Sequence, residues 1–132
     1  MKKYLIILFI TIFQNISFAQ TQLEMNEDAY NNYLKTDKEL NITYQKIIKQ
    51  YKDDKEFTKN LKISQKIWIQ FRDAEMKMKF PDREDGFYGS IHPMCWSNYL
   101  EKLTTIRIKQ LKIWLTGIEE GDACSGSVKI KE

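Results

Sequence analysis

The chain has one histidine, His92, three residues ahead of one of its two cysteines, Cys95. A thiol and an imidazole at that spacing offer either a nucleophile with its base or half of a metal site. Nucleophilic catalysis needs a third group to orient the base, and a metal centre needs three or four ligands. Neither is supplied by a lone His-x-x-Cys at the start of a helix. Asp73 and Glu75 are the next candidates, as a paired-carboxylate centre of the glycoside-hydrolysing kind. Two positions apart on a helix they point about 200° away from each other, so they do not share a substrate. We therefore assign no catalytic residue, no metal ligand and no cofactor from the sequence.

The remaining polar residues with chemical potential lie inside apolar stripes. Glu75 falls in the middle of a stripe formed by Phe57, Leu61, Trp68 and Phe71, and Asp37 interrupts a seam of tyrosines and aliphatics before it. Arg107 is central on a face made by Trp96, Leu100, Leu103, Leu111 and Trp114. A charge in such a place costs several kcal/mol unless it is paired. Asp37, Asn41, Gln65, Arg72, Glu75 and Arg107 are expected at one level as a structural polar network, with a ligand site as the alternative. Side chains of a helix lean toward its N-terminus, so Glu75 and Arg107 converge across antiparallel helices and are expected to pair. The rival arrangement gives Arg107 to Asp37 and Glu75 to Arg72.

Three helices must position these groups. Tyr30, Tyr33, Asp37, Leu40, Tyr44, Ile47 and Tyr51 recur at steps of three and four, which predicts a helix over 23–52. Asp54 caps a second helix over 55–80, which Pro81 stops. Trp68 and Phe71 lie on one side of it and Ile69, Met76 and Phe80 on the other, so it is expected to pack between neighbours. A third helix over 94–116 ends at Gly117. The fold class is all-α, a small antiparallel up-down bundle of three helices. The tail over 118–132 has no period and is expected to be loose.

Residues 81–93, PDREDGFYGSIHP, form the one long connection. Phe87, Tyr88 and Ile91 are apolar groups with no evident use in a loop. Either they close the end of the bundle or they meet a partner, and Phe87, Tyr88, Ser90 and His92 are the partner-binding candidates.

Residues 1–19 read as a cleaved signal peptide: Lys2 and Lys3, an apolar run from Tyr4 to Phe13, and Ser17-Phe18-Ala19 at the cut. The apolar run is short for a membrane span, and no lipid-anchor cysteine follows it. The product is expected to be exported, periplasmic or secreted, with no stable membrane anchor. Of the formal charge of +3, Lys2 and Lys3 account for two, leaving +1 after cleavage. Basic and acidic residues are interspersed, so nothing resembles a nucleic-acid stripe. About 113 residues remain, enough for one domain with one core.

Two cysteines in an exported chain invite a disulfide between Cys95 and Cys124. A helix from Met94 to Thr116 puts its far end about 32 Å from Cys95 at 1.5 Å per residue. The eight residues from Gly117 to Cys124 reach at most about 27 Å. The bridge needs a taut tail or a shorter helix; free thiols or an intermolecular bond are the alternatives.

These residues also carry a resemblance. Asp37-x-x-Leu40-Asn41-x-x-Tyr44, Gln65-x-x-Trp68-x-x-Phe71-Arg72-Asp73-Ala74, Gly89-Ser90, Cys95 and Leu103-Thr104-x-x-Arg107-x-x-x-Leu111 follow in the order of the lysozyme inhibitor LprI-like N-terminal domain family. The likeness covers nearly the whole chain after the leader, residues 20–117. It implies a small exported helical domain of a family mostly of unknown function, and the family's name implies a lysozyme-type partner; the residues themselves assign no enzymatic activity. In this family a cysteine usually follows the Arg-Asp-Ala block and would pair with the one at Cys95. Met76 stands there in this chain, so that disulfide is missing. Two function classes remain: a binding module that inhibits a lysozyme-type cell-wall hydrolase, and a structural or accessory envelope protein with no lysozyme contact. The sequence does not set the oligomeric state.

Overall fold

A computed structural model describes residues 2–131, with side chains from Thr21 onward. Three helices follow one another: α1 Lys2–Gln50, α2 Lys55–Lys79 and α3 His92–Thr116. Among the described residues there is no strand, only an isolated bridge between Ile118 and Ile130. The leader expected over 1–19 falls where the backbone alone is described, and there it continues α1 from Lys2. Among the described residues no helix is long and apolar enough to cross a membrane.

The punctuation of the helices is local chemistry. At the first turn the Asp54 carboxylate accepts from the Phe57 amide at 2.9 Å, satisfying a donor that the start of α2 leaves open. Phe80 is the last residue to return its N–H, to Met76 O, before Pro81 removes the next donor. Pro93 sits in the first turn of α3, where its missing N–H costs nothing and its fixed φ suits a helix.

The hydrogen bonds between elements give the directions. Asn26 meets Ser90 at one end and Tyr51 meets Trp114 at the other, so α1 and α3 run parallel. Arg107 meets Gln65, and Glu75 meets Tyr99, so α2 runs antiparallel to α3. This is the up-down bundle of three helices that the sequence predicts. Its core consists of Leu40, Ile47 and Tyr51 from the α1 end, Leu61 from α2, and Ile108 and Leu111 from α3. Tyr51 seals it by donating its hydroxyl to the Trp114 carbonyl at 3.1 Å, with its ring 4.4 Å from that of Phe57.

The helix expected between two neighbours is not enclosed. α1 packs mainly against α3, and Phe71 and Ile69 of α2 are 55% and 41% exposed. Leu61 and Met76 are buried, and Trp68 is half-buried against two guanidinium groups. The outer part of the Phe57–Phe71 stripe thus faces solvent. Across it the α1–α2 contact is electrostatic, through Arg72 and Asp37 at 3.8 Å.

The tail also differs from expectation. It returns to the bundle: the Ile118 amide donates to Lys129 O at 3.0 Å and the Lys131 amide to Ile118 O at 2.8 Å. Trp114 Nε1 donates to Ser127 Oγ at 3.0 Å, and the Lys129 ammonium lies 5.1 Å from the Tyr51 ring centre. These ties are backbone bonds and one side-chain bond, which leave no periodic trace in a sequence. Gly117 makes the return possible, since its φ of 73° and ψ of 178° lie where side chains are hardly tolerated. A Cβ there would also stand 2.8 Å from Lys129 O, a backbone atom that cannot swing away. Gly117→Ala is expected to cost about 1–3 kcal/mol, the scale for such a backbone conformation. Hydrogen exchange should show the Ile118 and Lys131 amides exchanging much faster; unchanged protection would contradict this role.

Cys95 and Cys124 are both free. The first is half-buried near the start of α3 and the second exposed beyond its far end.

Candidate functional site

The connection between α2 and α3 is built as an exposed tip on an aromatic base. Turns set by Gly86 and Gly89, both at positive φ, bring the Phe87 amide to Glu84 O at 3.1 Å and the Gly89 amide to Gly86 O at 3.0 Å. Tyr88 donates its hydroxyl to Pro81 O at 2.7 Å and so closes the loop on itself. Its ring stacks on His92 at 4.6 Å. Phe80, the last residue of α2's run, meets Tyr88, His92, Trp96 and Tyr99 with ring centres 5.1–6.5 Å apart. Such pairs each add about 0.5–1.5 kcal/mol beyond area burial, which holds a loop that has no secondary structure of its own. Asn26 Nδ2, donating to Ser90 O at 3.1 Å, ties it to α1.

The four candidates from the sequence separate into two kinds. Tyr88 and His92 are half-buried members of the base. Phe87 is 60% exposed, with Arg83 5.8 Å above its ring, and Ser90 is exposed as well. Asp82, Glu84 and Asp85 are exposed around the same tip, giving it three carboxylates against the one guanidinium of Arg83. The sequence reading passed over these three because it weighed charge over the whole domain. Phe80 stands in the second apolar stripe of α2 in the sequence, but its place at the centre of the ring cluster is set by packing that spacing does not encode, and nothing in the sequence singles out Tyr99 or Ser64.

His92 is an aromatic packing group more than a base. Its Nε2 is buried and has no hydrogen-bond partner among the described residues. Among the described residues no cluster of three His, Cys, Asp or Glu side chains could hold a metal ion.

The polar network expected at one level is three separate contacts. Arg72 reaches Asp73 at 2.9 Å and Asp37 at 3.8 Å, and Asn41 donates to the Asp37 carboxylate at 3.3 Å. Arg107 donates to Gln65 Oε1 at 3.1 Å and to Ser64 Oγ at 3.0 Å. Glu75 accepts the Tyr99 hydroxyl at 2.8 Å. Glu75 and Arg107 therefore do not pair, nor do the rival pairs Arg107–Asp37 and Arg72–Glu75 form. About eight residues of axial offset, some 12 Å, separate the two groups, more than a lean of the side chains spans. Each finds a partner at its own level first.

The Tyr99 phenol is held above its ordinary pKa, first by its hydrogen bond to the Glu75 carboxylate, then by burial and the carboxylate's charge. Burial raises Tyr33 and Tyr51 in the same direction. A phenol with a raised folded pKa gives stability that is fully present below its unfolded value of about 10 and lost as pH rises through the folded one. Melting temperature is therefore expected to fall above pH about 10, and less steeply in Tyr99→Phe. Identical slopes in the two proteins would contradict the Glu75–Tyr99 bond.

The residues of the bundle that carry this tip are also those recognised by comparison. A family model described as lysozyme inhibitor LprI matches residues 15–111, nearly three quarters of the chain. The match spans most of α1, all of α2, the connecting loop and α3 as far as Leu111. No curated protein and no solved structure matches the chain.

Proposed function

The chain belongs to the lysozyme inhibitor LprI family, and from that premise we propose that it is an exported binding domain whose 82–92 loop blocks a lysozyme-type cell-wall hydrolase. The observation that carries this reading is the tip itself: an exposed Phe87 on a fixed aromatic base, ringed by Asp82, Glu84 and Asp85. Phe87 is the anchor, since aromatic side chains that bury fully on binding dominate interface energies. The three carboxylates complement the strongly basic surface common among lysozymes, and they act locally where a domain of charge +1 supplies no long-range steering. Tyr88 and His92 hold the loop in shape, so little ordering entropy is lost on docking. Ser90 offers its hydroxyl at the edge of the contact. The leader over 1–19 would deliver the domain to the compartment where such hydrolases act.

The test is lysozyme turnover of a cell-wall substrate in the presence of the chain. Inhibition is expected, and it should weaken as salt rises from about 0.05 to 0.3 M, because exposed charges are screened over that range. Turnover unchanged at a large molar excess of the chain would reject the inhibitor function and leave an envelope role without lysozyme contact.

A further inference from the structure

We propose that the cleft between the start of α2 and the end of α3 binds a small molecule with one carboxylate and an aromatic or short alkyl body, its carboxylate held by Arg107. This goes beyond the inhibitor reading, because the cleft lies at the end of the bundle opposite the 82–92 loop. It has a volume of about 420 Å³, within the ordinary range of small-molecule sites. Phe57, Leu61, Leu111 and Trp114 make its apolar wall. Trp114 and Ser127, which also line it, lie outside the residues that match the family.

Arg107 marks where the ligand's charge goes. Its Nε and one terminal nitrogen donate to neutral groups only, Gln65 and Ser64. Among the described residues no carboxylate lies within ion-pairing distance of it, whereas Arg72 has two. The other terminal nitrogen has no partner in the protein among the described residues. Burial lowers the pKa of the guanidinium, so it sits partly out of water without a counter-charge. A half-desolvated guanidinium lacking an anion is a receptor for one, and carboxylates meet its planar donors directly.

The rest of the cleft limits what else the ligand carries. Asp54 and Glu56 also line it, eight to eleven residues along α2 from Arg107's partners Ser64 and Gln65, about 12–16 Å away. They repel a second anionic group, so diacids and polyphosphates fit poorly. Between the two ends the cleft offers the apolar side chains of Phe57, Leu61, Leu111 and Trp114 and the uncharged polar groups of Asn60, Ser64 and Ser127. One anionic head and an apolar body of up to about 10 Å satisfy both conditions.

Tryptophan fluorescence and calorimetric titration of the full chain with 4-phenylbutyrate and with its neutral counterpart 4-phenylbutanol test the proposal. The acid is expected to bind at least about ten-fold more tightly than the alcohol, a margin of about 1.4 kcal/mol. Arg107→Gln should abolish that margin while leaving the weak binding of the alcohol. Should Arg107→Gln fold poorly, Asn60→Asp provides the second variant: Asn60 lines the cleft and is exposed, and among the described residues the only bond the change removes is its surface contact with Glu56 Oε1 at 3.2 Å. Its added carboxylate is expected to weaken the acid about ten-fold and not the alcohol. Equal affinities for acid and alcohol, a margin that survives both variants, or no saturable binding of the acid up to about 10 mM would overturn the proposal.

Discussion

Replacing Leu111 by alanine should destabilise the domain by about 2–5 kcal/mol, the range for truncating a buried leucine. Leu111 is 1% exposed and belongs to the one cluster in which all three helices take part. Its neighbours there include Ile47 of α1 and Leu61 of α2, so the cavity left behind opens at the junction of the bundle. Small domains hold only about 5–15 kcal/mol in total, and this single change would remove a large share. In urea the midpoint is expected to fall with an unchanged slope, since the surface exposed on unfolding is nearly the same. Ile106 lies five residues before it on another face of α3 and is 45% exposed; Ile106→Ala should cost below about 1 kcal/mol. Equal losses at the two positions would mean that the faces of α3 are misassigned.

Phe87→Ala should raise the inhibition constant toward lysozyme about 100-fold or more, the scale on which an interfacial aromatic anchor acts. Its side chain is 60% exposed in the free protein, so its removal should leave the melting temperature nearly unchanged. Tyr88→Ala is the instructive contrast. It removes the bond to Pro81 O and the stack on His92, so inhibition and stability should fall together. If Phe87→Ala inhibits as well as the parent, the loop tip is not the contact.

The helices were legible because their stops are local. Asp54, Pro81 and Gly117 each act on the backbone beside them, and the structure ends α1, starts α2 and closes α3 within a few residues of the expected places. α3 starts at His92 and not at 94, because Pro93 fits inside the first turn. The register across α2 and α3 was less legible, since the lean of helical side chains does not carry Glu75 to Arg107. Setting Phe80 level with Met94 puts Glu75 beside residue 99 or 100, and Tyr99 is the group it meets. What misled was the demand that a carboxylate be answered by a cation, when a phenol at the same level serves. Phe71 shows the limit of a helical wheel: it shares a stripe with Leu61, but helix α1 does not cover that stretch. In the loop, Phe87 and Tyr88 were visible as aromatics without a purpose. Their opposite roles depend on ring packing that spacing does not encode. Cys95, half-buried near the start of α3, and Cys124, exposed beyond its far end, are both free.

The central claim, that the 82–92 loop is the face that meets lysozyme, is tested most directly by titrating lysozyme into the isotopically labelled chain and following its amide resonances. Shifts and line-broadening concentrated on residues 82–92, with the amides of the α2 start and the α3 end unmoved, are the predicted result. Perturbations centred elsewhere on the bundle, or none at saturating lysozyme, would contradict it.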